Sequence, residues 1–348
     1  MPSLEPQTVP TSRLTTHVWA GGPQDGRPVL LVHGNLVSGG WWRDVATLLP
    51  ADTRVLAPDL RGFGRTESAP VDATRGLGDL CDDLHALLEA VGWTGRDDVV
   101  AAGWSMGGGV LQQHLLLHPG DLAGVVLVAP LSPYGFGGTR GEDGEPCTDD
   151  AAGTGGGGAS PAFVASVRSG DRGGEDPNSA RAVHRAFFGA GDRADEVDED
   201  LLVDEMLRVA LGEDHYPGDS TTSEHWPGFA PGTRGILNAM SPRWYDASGI
   251  VDVEPKPPVT WVHGTADQVV GDASMFDLAT LGQLGAVPGW PGADVMPPQP
   301  MAAQTRAVLR RYAAAGGTTR EVPLDGVGHG IPLAAPQAVA DEIAALLR

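Results

Sequence analysis

The sequence predicts an α/β fold: a mainly parallel sheet flanked by helices and interrupted by a long insertion. Two observations carry this. Short apolar runs alternate with segments of helical periodicity, and most of the runs are continuously apolar, as strands covered on both faces are. The alternation also stops near residue 131 and resumes near 257. A region without convincing strands, set between two strands, is an excursion out of the sheet.

Taken in order, residues near 14–20 read as an antiparallel strand at the front edge. Pro28 to Val32, Arg54 to Ala57, Val99 to Ala102, Val125 to Ala129, Val259 to Val262 and Thr319 to Pro323 read as the other strands. Leu77, Leu80, Leu84, Leu87, Leu88 and Val91 form one stripe of an amphipathic helix. Val339, Ile343, Leu346 and Leu347 form another at the C-terminal end. Inside the excursion, Ser160-Pro161 is a helix cap followed by proline at the first helical position. Leu201 to Leu211 supplies a second helical piece. The run 137–158 is so rich in glycine that composition makes it a mobile surface loop.

Composition narrows the function. The net charge is −22 and Lys256 is the single lysine, so the chain repels phosphate backbones and anionic lipid. Neither nucleic acid nor a membrane surface is expected as a partner. With 41% hydrophobic residues in 348, a large core needs no disulfide or metal staple. Cys81 and Cys147 form no disulfide framework and have no metal-ligand spacing. The start lacks the basic end and apolar run of a signal peptide, and no apolar stretch reaches membrane-spanning length. A cytoplasmic location is the expectation, and a homo-oligomer is compatible with the sequence.

The chemistry concentrates in a few turns. Gly103-Trp104-Ser105-Met106-Gly107 follows a strand and precedes a helical stretch, the context a Gly-x-Ser-x-Gly nucleophile elbow requires. Side chains in place of the glycines would collide with neighbouring backbone. A serine hydroxyl needs a base, and the base needs an acid to orient it. His329, in Gly328-His329-Gly330 just past the last strand, is the base; His33 and His263 sit in turns that read as structural. Asp267, beyond the end of the strand Val259–Val262, is the acid, where open α/β sheets place functional loops. Asp59 reads as a turn carboxylate paired with Arg61 or backbone amides. The order Ser105, Asp267, His329 fits this type of hydrolase. Backbone amides of Met106 and Asn35 are the expected oxyanion donors, with Leu36 as the alternative to Asn35. No metal or cofactor is called for.

These motifs, together with His33-Gly34-Asn35, Asp59-Leu60-Arg61-Gly62-Phe63-Gly64 and His263-Gly264-Thr265-Ala266-Asp267, resemble the α/β-hydrolase superfamily over residues 14–130 and 255–348. The resemblance implies an eight-stranded sheet, with residues 1–130 and 256–348 as the hydrolase core and 131–255 as a mostly helical cap after strand six. It also implies a cofactor-free Ser-His-Asp site and an acyl-enzyme. Asp267 and His329 lie 62 residues apart, about twice the spacing usual in the superfamily, and the extra piece falls at 271–300. The cap is loosely similar to lactonases of the zearalenone type.

The expected activity is hydrolysis of a carboxylic ester or lactone of an apolar, aromatic-tolerant small molecule. Serine at the elbow excludes the displacement chemistry of elbow aspartates. Carbon–carbon bond hydrolysis on the same fold is the enzymatic alternative, and a non-catalytic small-molecule binding module is the alternative from another class. Half of the aromatic residues fall in the cap region: Tyr134, Phe136, Phe163, Phe187, Phe188, Tyr216, Trp226, Phe229, Trp244 and Tyr245. Some of them are expected to wall the pocket, with Phe187 and Phe188 in the cap's own core.

Overall fold

A computed structural model describes residues 2–347. Eight strands form the sheet: β1 (Glu5–Pro10), β2 (Thr15–Gly21), β3 (Arg27–Val32), β4 (Thr53–Pro58), β5 (Val100–Trp104), β6 (Gly124–Val128), β7 (Val259–Gly264) and β8 (Thr319–Leu324). Their spatial order is β1-β2-β4-β3-β5-β6-β7-β8. β1 and β2 are antiparallel to their neighbours, and every pairing from β4 through β8 is parallel. β3, β5 and β6 are buried along nearly their whole length, which is why they read as unbroken apolar runs. The chain is an α/β-hydrolase fold.

The helices that matter below are α1 (Gly78–Ala90), α2 (Met106–Leu117), α3 (Pro161–Ser169), α4 (Glu199–Met206), α5 (Leu278–Gln283), α6 (Met301–Ala314) and α7 (Pro336–Leu346). The leucine stripe of α1 is fully covered, with Leu80, Leu87 and Leu88 at 0% exposure. Burying a leucine is worth about 2 kcal/mol. Val339 and Ile343 of α7 are equally covered against the opposite sheet face.

Three expectations need correction. β2 is not the edge: β1 lies outside it. The sequence Glu5-Pro-Gln-Thr-Val-Pro10 is exposed at all but one position, so it carries no apolar signature. The excursion between β6 and β7 also contains short strands, Thr139–Arg140 with Glu145–Pro146, Leu211–Gly212 with Tyr216–Pro217, and Ser220–Thr222 with Phe229–Pro231. Its helices are short, α3 being nine residues and α4 eight. Ser160 does cap α3, accepting from the Phe163 amide.

The third correction concerns the glycine-rich run. The stretch 141–150 is mostly exposed, as are Gly157 and Gly158. Residues 137–139 and 151–156 are packed: Gly137 N donates to Gln299 Oε1 at 2.5 Å, Gly156 N to Asn238 Oδ1 at 2.8 Å, and Thr154 shares a hydrogen bond with Ser241. A Cβ at Gly144 would stand 2.1 Å from the Tyr134 ring, and one at Gly155 2.2 Å from Asn238 Oδ1. Glycine is present there because backbone approaches its neighbours closely.

Candidate active site

Ser105 sits at φ 57°, ψ −120° between β5 and α2, a conformation L-residues hold only where the surroundings enforce it. Those surroundings are visible. Ser105 N donates to Val128 O, while its carbonyl accepts from Gly108 and Leu131. A Cβ at Gly103 would lie 2.4 Å from Gly107 O, and one at Gly107 2.2 Å from Val32 O. The two glycines are steric requirements of the elbow.

His329 and Asp267 meet across the ends of β7 and β8. His329 Nδ1 bonds to Asp267 Oδ2 at 2.8 Å, with both side chains almost fully buried. Asp267 Oδ1 accepts from the amides of Val269 (2.7 Å) and Val270 (3.1 Å). Burial pushes the Asp267 carboxyl up, but the His329 ring and the two amides outweigh it and hold it below the ordinary aspartate range. Its acceptance at both oxygens makes Nδ1–H the His329 tautomer and leaves Nε2 as the free nitrogen. Ser105 and His329 line the same cavity. No direct hydrogen bond joins them among the described residues, a bond that commonly tightens only when substrate is in place.

The turn 34–36 runs beside the elbow: a Cβ on Gly34 would lie 3.1 Å from Ser105 Cβ. Asn35, Leu36 and Met106 all border the cavity, and Leu36 holds φ 64°. Both residues expected to supply amides, and the alternative, therefore border the same cavity as Ser105.

The rival residues are held in hydrogen bonds away from Ser105. His33 Nδ1 donates to Gly34 O at 2.7 Å while Nε2 accepts from Leu60 N at 2.9 Å. His263 stacks on Trp261 and bonds Glu321. Asp59 accepts from Gly39 N, Arg65 N and His17 Nδ1. Of its two expected kinds of partner, the backbone amides are present, while Arg61 grips Asp83 through two bonds of 2.5 and 2.7 Å.

The cavity measures about 390 Å³. Phe136, Phe163, Phe187, Phe188 and Tyr216 wall it, so Phe187 and Phe188 are lining residues and not merely the insertion's own core. Both come from a π-helical turn, His184–Phe188. Tyr134 and Trp226 point elsewhere: Arg311 donates to Tyr134 Oη, and Trp226 Nε1 donates to Pro288 O. The 271–300 piece borders the cavity through Met275, Phe276, Asp277, Leu278 and Leu281, and Phe276 packs edge-on against Phe187 at 4.6 Å. Trp104, the variable position of the elbow, was not among the expected site residues. Its Nε1 donates to His329 O at 2.9 Å, fixing the histidine loop to the serine turn.

His184 lies behind this wall, edge-on to Trp41 at 5.3 Å and buried. Burial lowers its pKa to about 4. Burial also lowers those of His33 and His114. The unfolded chain therefore binds more protons than the folded one below the ordinary histidine range, and stability falls as pH drops from about 6.5 to about 4. At ~1.4 kcal/mol per pKa unit, His184 alone accounts for roughly 3 kcal/mol. Thermal melting across that range should show the fall, and His184→Leu should reduce it. An equal fall in the variant contradicts the assignment.

Comparisons with known proteins agree with the architecture. The family model for the alpha/beta hydrolase fold matches residues 27–140. A serine hydrolase-like protein of Danio rerio is 35% identical over 128 residues, 37% of this chain and 37% of that protein. A 2-hydroxy-6-oxo-6-(2'-aminophenyl)hexa-2,4-dienoic acid hydrolase of Metapseudomonas resinovorans is 33% identical over 106 residues, 30% of this chain and 35% of that protein. The match thus spans little more than a third of those relatives' length. Among solved structures, an esterase from Rhodococcus sp. ECU1013 aligns over 99% of this chain and 98% of its own, with a TM-score of 0.58 at 19% identity. With the elbow between β5 and α2 and the eight-stranded sheet, the chain has the α/β-hydrolase fold, and its residues 27–140 match the family model of that fold.

Proposed function

We propose that the protein is a serine hydrolase that cleaves a carboxylic ester or lactone of a neutral, apolar small molecule through an acyl-enzyme. The observation that carries this is the Asp267–His329 pair opening, with Ser105, onto one aromatic cavity. In this reading His329 Nε2 takes the Ser105 proton as Oγ attacks the carbonyl carbon. Amides at Met106 and at Asn35 or Leu36 receive the oxyanion. The imidazolium, stabilised by Asp267, returns the proton to the leaving alcohol. Water then repeats the sequence on the acyl-enzyme, releasing the acid. Residues 131–255 act as the cap, and its aromatic rings exclude water from the oxyanion site.

Carbon–carbon hydrolysis is the reading suggested by the dienoic acid hydrolase among the relatives. A dienoic acid carries a carboxylate, which a buried site pairs with a cation. No arginine or lysine lines the cavity among the described residues, and the ionisable groups there include a carboxylate, Asp277. The cavity thus favours a neutral ester over an anionic acid.

A panel of p-nitrophenyl esters of graded acyl size, with lactones and a dienoate, tests the reading. Turnover should be highest with bulky apolar acyl groups. Phe163→Ala and Phe276→Ala should lower the preference for the bulky over the acetyl ester by roughly tenfold, the scale of a few methylenes in a pocket. Phe276 is 40% exposed, so its loss should cost little stability. Turnover confined to the dienoate, or selectivity unmoved in both variants, contradicts the proposal.

A further inference from the structure

Three of the ten histidines gather at the end of α2 remote from Ser105. At 1.5 Å per residue, the 12-residue helix sets its far end, where His118 is the C-cap, about 18 Å from the serine turn. His85 comes from α1, His114 from the last turn of α2, His118 from its C-cap and Asp121 from the turn that follows. His85 Nδ1 lies 2.7 Å from Asp121 Oδ2, and His114 Nε2 lies 3.0 Å from the same oxygen. The His85 and His118 rings stack at 4.2 Å. One nitrogen each of His85 and His118 and one oxygen of Asp121 all fall within 4.8 Å of one another.

We propose that His85, His118 and Asp121 bind one divalent transition-metal ion of the zinc type, joining α1 to α2. Two imidazoles and a carboxylate suit zinc, nickel or cobalt, whereas calcium and magnesium take oxygen ligands. The surroundings are those of a supported site. His118 Nε2 meets Asp82 Oδ1 at 3.0 Å, which leaves Nδ1 for the metal and orients the ring through a carboxylate. His114, 1% exposed, holds Asp121 from behind. The His85 and His118 side chains are 31% and 19% exposed, so an ion reaches them from solvent. Coordination displaces the proton that His85 Nδ1 shares with Asp121, and the two stacked rings splay to converge on the ion. Binding therefore strengthens as pH rises. His118 and Asp121 are three positions apart, but His85 lies 33 positions before His118, so sequence spacing does not reveal the three as a group.

The site is independent of the hydrolase reading, and its test uses no substrate. The full chain, stripped with EDTA and dialysed, is titrated calorimetrically with Zn²⁺, and its melting temperature is followed with and without the ion. One saturable equivalent per chain is expected, with a raised melting temperature and no comparable response to Mg²⁺. His85→Gln and His118→Gln should each weaken binding by about tenfold or more, with circular dichroism checking that they fold. The exposed group Asp149, Asp150 and His225 serves as the control, and His225→Gln should leave binding intact. Absence of saturable binding, binding that survives both cluster substitutions, or loss in His225→Gln would each overturn the proposal.

Discussion

Ser105→Ala is expected to remove turnover, by roughly 10⁶-fold in kcat for a serine acting within such a triad. The reason is covalent: without Oγ no acyl-enzyme forms, and what remains is the effect of the oxyanion donors and of binding. The fold should survive. Ser105 is held by its backbone, through bonds from its N to Val128 O and from Gly108 and Leu131 to its carbonyl, and the hydroxyl itself makes no hydrogen bond among the described residues. Alanine keeps all of these, so the melting temperature should change little. An alanine variant retaining more than a small fraction of activity would refute the role.

Asp267→Asn is the second large effect, with kcat falling by about 10⁴-fold. Asparagine can keep its oxygen on the Val269 and Val270 amides, where Asp267 Oδ1 now lies. Its NH₂ then faces His329 Nδ1, which must accept instead of donate. The proton moves to Nε2, the nitrogen that has to receive the serine proton. Folding should lose about 1.5–3 kcal/mol, the worth of hydrogen bonds to a charged group, so activity and stability part company. Asp59→Asn is the contrast. Asp59 holds Gly39 N, Arg65 N and His17, and its loss should lower stability far more than kcat. The reverse pattern would move the acid from 267 to 59.

The parts of the site legible in the sequence are those in which residue type dictates local backbone. Gly103 and Gly107 are required by contacts within the elbow, and Asp267 and His329 each follow directly on a strand end. The buried strands were legible for a related reason, because cover on both faces leaves no polar positions. What sequence did not disclose depends on distant packing. Trp104 reaches His329 across 225 residues of chain, and Phe187 meets Phe276 from a different excursion. No periodicity marks such pairs. β1 was missed because an exposed edge strand has no apolar face to alternate. The glycine-rich run misled because composition does not distinguish glycines that loosen a loop from those, such as Gly144 and Gly155, that let it pack.

Activation of Ser105 as a nucleophile by His329 and Asp267 underlies every catalytic expectation above. Its most direct test is mass spectrometry of the native protein after treatment with a fluorophosphonate ester, which phosphonylates only activated serines. One adduct per chain is expected, on the peptide containing Ser105, with labelling slowed by several orders of magnitude in His329→Ala. An adduct on another serine, or no labelling of the folded protein, would contradict it.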